Sequence, residues 1–134
     1  MTKLEDCMQV RWLPTLLLAA IGGCGMLSDS QQYSVYFPAY SAELDSQARA
    51  TIHAAADFAS LHPFQPIAIN GFSAPPDPNQ DVEGLSAQRA TVVKQALVNE
   101  GVSARRISTT ANGIIDPKPL PTLSVRRVDI SVGQ

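Results

Sequence analysis

The chain has 134 residues and a formal net charge of −2, with 45% hydrophobic and 16% charged residues. That is enough for one domain with a sizeable core, and too apolar for a disordered chain. No basic excess is available to neutralise phosphates, which excludes a nucleic-acid partner, and two histidines with two cysteines supply few soft metal ligands, so neither a metal nor a cofactor is expected.

Residues 13–23 read LPTLLLAAIGG and lead directly to Cys24. An apolar run of this length falls short of the ~20 residues that span a bilayer as a helix, but it suits the centre of a secretory signal peptide. Arg11 provides the preceding positive charge, and a start at Met8 would remove the acidic Glu5 and Asp6, along with Cys7. The stretch Ile21-Gly22-Gly23-Cys24 resembles a bacterial lipobox, in which small residues let a peptidase take the backbone in extended form. The resemblance implies cleavage before Cys24 and acylation of its thiol, two or three chains at about 0.8 kcal/mol per buried CH₂ giving a stable anchor. Gly25 follows where an aspartate would retain the protein at the inner membrane, so the outer membrane, periplasmic face, is the expected location. The expected division is residues 1–23 signal peptide, 24–32 lipidated cysteine and tether, and 33–134 folded domain. With Cys24 acylated, no disulfide is expected.

The domain begins with YSVYF (33–37), aromatic and β-branched, a strand by propensity that Pro38 ends. Ser41 is placed to cap a helix over 42–61, with Leu44, Ala48, Ile52, Ala55 and Ala59 at helical spacing. PIAIN (66–70) reads as a short strand, followed by Gly71 and a loop holding Pro75, Pro76 and Pro78. A second helix runs from Gly84 or Leu85 to Glu100, with Gly101 as its stop. RRISTTA (105–111) and SVRRVDISV (124–132) read as strands on either side of a second proline-rich loop, DPKPLP (116–121). Phe58, Phe64 and Phe72 are expected in the core. The βαβαββ order predicts an α+β fold, a two-layer sandwich with helices on one face of a small mixed sheet.

One residue departs from the pattern. Arg89 lies four residues after Leu85 and four before Val93, on the apolar stripe of the second helix. An unpaired buried guanidinium is costly. Near the positive end of the helix dipole, it makes a site suited to a planar carboxylate, unless it pairs internally with an acidic residue. Arg126 shares the parity of Val128, Ile130 and Val132 and is expected on the buried face of the last strand, with Arg127, Asp129 and Ser131 facing solvent.

At this point the sequence resembles the OmpA-like C-terminal domain, the peptidoglycan-associated module of Gram-negative envelopes. LSAQRATVVKQALVNEGV (85–102) is similar to that family's L-S-x-x-R-A-x-x-V-x-x-x-L-x-x-x-G-V helix, and SARRIS (103–108), RRVDI (126–130) and SAELDSQARATI (41–52) match neighbouring pieces. The resemblance implies that Arg89 holds a carboxylate of the diaminopimelate in the peptidoglycan stem peptide. Arg126 and the loop after the first strand, with Phe37, would complete the pocket. The family's G-H-T-D motif, whose aspartate takes the ammonium, is here Gly71-Phe72-Ser73-Ala74, and its Phe-Asp pair is Phe37-Pro38. The anionic half of the pocket is therefore missing, unless Asp77 or Asp81 reaches in from the long loop.

Two functions follow. The first is a non-enzymatic lipoprotein holding the outer membrane to peptidoglycan. The second is a structural subunit of an envelope-spanning secretion or conjugation machine, with envelope proteins as partners and peptidoglycan binding lost. No enzyme is expected: His53 and His62 pair with no nucleophile, and no phosphate loop or metal-ligand spacing occurs.

Overall fold

The computed structural model describes residues 29–75 and 84–133. The signal peptide, Cys24, the first half of the tether (25–28), Asp77 and Asp81 lie outside the described residues. The elements are β1 (Gln31–Tyr36), α1 (Ser46–Leu61), β2 (Ile67–Ser73), α2 (Leu85–Asn99), β3 (Ile107–Ile114) and β4 (Arg127–Val132). The sheet order is β1-β4-β2-β3. β4 runs antiparallel to both β1 and β2, while β2 and β3 are parallel. β1, β2 and β3 therefore all point one way, and the last strand is inserted between the first two.

This topology gives the domain two poles. Chain leaving β1 and β2, entering β4 and starting α2 meets at one pole. The starts of β1, β2 and β3 and the end of α1 meet at the other. Between them, both helices cover one face of the sheet. Val35, Ile67, Ile69, Val128, Ile130 and Val132 of the sheet join Ile52 of α1 and Val93 and Leu97 of α2 in one core, each at most 1% exposed. Burying each such side chain contributes about 1.5–3 kcal/mol.

Gly71 sets the spacing between β2 and α2. A Cβ built there would lie 2.2 Å from the backbone oxygen of Ser86 and 3.2 Å from the Ala90 Cβ. The same close approach lets Ser86 Oγ accept from Gly113 N–H at 3.1 Å. Gly71→Ala must push the helix off the sheet and is expected to cost about 1–3 kcal/mol. A urea midpoint equal to that of wild type would show that the helix can yield.

Several local readings are corrected. Asp45, not Ser41, caps α1: its side chain accepts from Ala48 N–H at 2.7 Å, while Ser41 Oγ accepts from Glu43 N–H in the preceding turn. Both are cap-type residues, and Leu44 packs against the core just before the helix starts. Residues 122–125 form a 3₁₀ turn, so β4 starts at Arg127 and Arg126 precedes it. Arg127 and Asp129 share the outward face but are not free in solvent. Arg127 Nε lies 3.0 Å from the Asp129 carboxylate, its NH1 donates to Ser124 O, and its guanidinium lies over the Phe72 ring. Asp129 also accepts from Ser34 Oγ at 2.7 Å and is buried, because β4 is flanked on both sides. Phe72 thus lies on the outward face, and Phe64 is 98% exposed in the turn after α1. Phe58 packs against the core as expected.

Arg106, in a 3₁₀ turn before β3, closes the end of α1. Its guanidinium donates to the carbonyls of Ala59, His62 and Gln65 at 3.1, 2.8 and 3.0 Å. A cation there also complements the negative end of the helix dipole.

His53 links the two helices. Its Nδ1 lies 2.8 Å from Glu100 Oε2, and Asp57 is one turn away. The Glu100 hydrogen bond, then the Asp57 charge, raises its pKa above 6.5. The protonated form is favoured in the fold, so its contribution is complete below about pH 6.5 and lost as pH rises through the raised value. In an NMR titration the His53 midpoint is expected above 6.5, and Glu100→Gln is expected to bring it down; an unmoved midpoint would remove Glu100 as the cause.

Candidate functional site

The converging pole holds a pocket of about 240 Å³. Ala39 and Tyr40 line it from the loop after β1, Ala74 and Pro75 from the end of β2, and Leu85 and Arg89 from the first turns of α2. Thr122 and Arg126 enter from the segment before β4. Four separate stretches of chain thus meet because three strand termini and one helix start point the same way.

Arg89 forms the floor. It is fully buried, at 0% exposure. Its Nε donates to Ser41 O at 2.9 Å, NH1 to Phe72 O at 3.1 Å and NH2 to Pro38 O at 3.0 Å. The helical periodicity that placed it on the buried stripe is correct. Its partners are backbone carbonyls, neither an acidic side chain nor a free opening. The guanidinium ties the β1–α1 loop to the end of β2 and so builds two walls of the pocket. Its centre also lies 5.2 Å from the Phe37 ring centroid, within cation–π range.

Phe37 belongs beneath this floor rather than in the pocket. It is 1% exposed and its N–H donates to Arg126 O at 2.8 Å, pinning the segment before β4 against the end of β1. The loop after β1 does line the pocket, but through Ala39 and Tyr40. Propensity marked Phe37 as strand-like; nothing local marked it as the platform of an arginine.

Arg126 supplies the second cation. Its Nε is buried and has no hydrogen-bond partner among the described residues. No acidic residue is among the described residues that line the pocket. Among the described residues, the two guanidinium groups therefore share a site without a counter-charge. Burial, and then repulsion from Arg126, pushes the Arg89 pKa down to about 10. It is still protonated at neutral pH, so the pocket is a fixed positive pole that a carboxylate would neutralise.

Comparison with known proteins agrees with this architecture. The sequence profile of the OmpA family matches residues 36–127. A solved peptidoglycan-associated lipoprotein from Burkholderia pseudomallei is 27% identical, with a TM-score of 0.64 over 75% of this chain and 89% of that one. The OmpA-like domain of FopA1 from Francisella tularensis superposes at 0.64, with 19% identity over 77% and 71% of the two chains. The periplasmic domain of Helicobacter pylori MotB superposes at 0.63, with 19% identity over 75% and 70%. No match was found among curated proteins.

Proposed function

This chain belongs to the OmpA family, and on that footing we propose that it is an outer-membrane lipoprotein, anchored through Cys24, whose pocket binds a carboxylate of the peptidoglycan stem peptide. The observation that carries the reading is the pair Arg89 and Arg126 in a pocket with no acid among its described lining residues, with Arg126 Nε buried and without a hydrogen-bond partner among the described residues. Arg126 is only partly buried and lines the pocket with no acidic partner among the described residues, so a bound carboxylate would supply its counter-charge. Similarity to a peptidoglycan-associated lipoprotein supports the same ligand class. Arg89 is fully buried and spends one N–H of each nitrogen on the chain itself. Arg126 is the principal contact in this scheme and Arg89 the residue that shapes the site.

The second reading, a structural subunit of an envelope-spanning machine, draws support from Ala74. That position lines the pocket where the family pattern has an aspartate, so nothing among the described lining residues answers an ammonium group. Asp77 and Asp81 would supply it only from the loop outside the described residues.

The full chain, expressed in a Gram-negative host, tests both halves of the proposal. Intact mass of the mature protein is expected to show acylation at Cys24. The solubilised protein is expected to sediment with diaminopimelate-type peptidoglycan, and free diaminopimelate is expected to release it. Absence of sedimentation, with co-purification in a large envelope assembly, would overturn wall binding in favour of the second reading.

A further inference from the structure

The pole opposite the pocket carries two exposed apolar side chains beside the start of the described chain. Leu61, the last residue of α1, is 77% exposed, and Phe64, in the turn that follows, is 98% exposed. Asp29 lies against the same turn. Its carboxylate is 4.0 Å from His62 Nε2, and a Cβ built on Gly133 would approach both Gln65 Oε1, at 2.6 Å, and Asp29 O, at 3.0 Å. Only five residue steps separate Asp29 from Cys24. Even fully extended, they reach no more than about 18 Å. An acyl chain on Cys24 would therefore hold this pole, and not the pocket, next to the bilayer.

We infer that Leu61 and Phe64 insert into the lipid interface of the membrane that carries the anchor, and so fix the domain with its pocket facing away from the bilayer. The inference rests on acylation of Cys24 as proposed above. Phe and Leu are side chains that enter the boundary between headgroups and acyl chains, and a covalent anchor removes most of the cost of bringing them there. Exposed Arg105, next to the Arg106 that closes α1, puts a cation at the same end for anionic headgroups. Asp57, one turn back along α1, faces His53 and stays on the water side. β2 runs from this end to the pocket over seven residues, about 20 Å at the rise of a strand, so pocket and membrane pole are well separated. The pocket end has its own exposed apolar residues, Leu120 and Leu123 among them. The short tether is what selects Leu61 and Phe64 for the membrane.

The test uses the lipidated full-length product reconstituted into phospholipid vesicles. The one tryptophan of the sequence, Trp12, lies in the segment expected to be removed, so Phe64→Trp and, at the opposite pole, Leu120→Trp are each sole reporters in the mature chain. For Phe64→Trp a blue-shifted emission and quenching by brominated acyl chains are expected; for Leu120→Trp neither is expected. If Cys24 is acylated and the protein floats with vesicles, yet Phe64→Trp stays unquenched or Leu120→Trp is the one quenched, the inference is overturned and the anchor stands. If mass analysis finds Cys24 unmodified, the anchor itself fails and the inference falls with it.

Discussion

Arg89→Ala is expected to lower the melting temperature of the domain by roughly 10–20 °C. The substitution strips three part-buried carbonyls, of Pro38, Ser41 and Phe72, of their donor. Each unsatisfied group costs about 1–3 kcal/mol. The loss is offset in part because a guanidinium without a counter-charge is itself costly to bury. A net loss of about 3 kcal/mol is a large share of a stability of about 5–15 kcal/mol. In a domain of this size each kcal/mol shifts the melting temperature by about 4–8 °C. Arg89→Lys is expected to recover only part of the loss, because an ammonium cannot reproduce a planar fork reaching three acceptors. A melt unchanged from wild type in Arg89→Ala would mean that the pocket walls do not depend on this residue. Loss of ligand binding in Arg89→Ala alone would not separate a contact from a collapsed site.

Ala74→Asp is the substitution expected to increase function most. Ala74 lines the same pocket as Arg89 and Arg126. An aspartate there would answer the ammonium of a zwitterionic ligand while Arg126 holds its carboxylate. One charge-assisted contact is worth about 1.5–3 kcal/mol, so affinity for diaminopimelate is expected to rise by about one to two decades. The added carboxylate also faces two cations that have no acidic partner among the described residues, so the melting temperature is expected to rise rather than fall. Calorimetric titration of diaminopimelate into wild type and variant measures the difference. Equal affinities in a variant that melts no lower than wild type would show that the pocket does not hold this ligand.

What the sequence conveyed follows from how local each signal is. The 3.6-residue period of 85–97 was enough to place Arg89 on a buried stripe, because side-chain direction along a helix is a local property. Its partners were not legible. Backbone carbonyls carry no residue identity, and these three come from the β1–α1 loop and from β2, distant in sequence. The alternation of Val128, Ile130 and Val132 correctly marked one face of β4. The 3₁₀ turn at 122–125 interrupts that alternation without any change in composition, so periodicity alone carries the strand back to residue 124 and includes Arg126. Asp129 looked like a solvent residue because alternation reports the face and not the cover; flanking by β1 and β2 buries it. Phe64 looked like core material because it is aromatic, yet it lies in a turn where no period specifies direction. The missing acid at Ala74 was readable directly, since it is an identity and not a geometry.

In the proposed function Arg126, whose Nε has no hydrogen-bond partner among the described residues, is the contact that takes a carboxylate from the cell wall. Arg126 is only partly buried, and its side chain is not among the bonds that hold the loops together. Removing it also relieves the repulsion felt by Arg89. The most direct measurement is sedimentation of the lipidated full chain with diaminopimelate-type peptidoglycan, wild type beside Arg126→Ala, with a thermal melt of each. Wild type should be retained, and the variant should lose retention by at least about tenfold while melting at or above the wild-type temperature. Equal retention of the two proteins, with both folded, would contradict the claim.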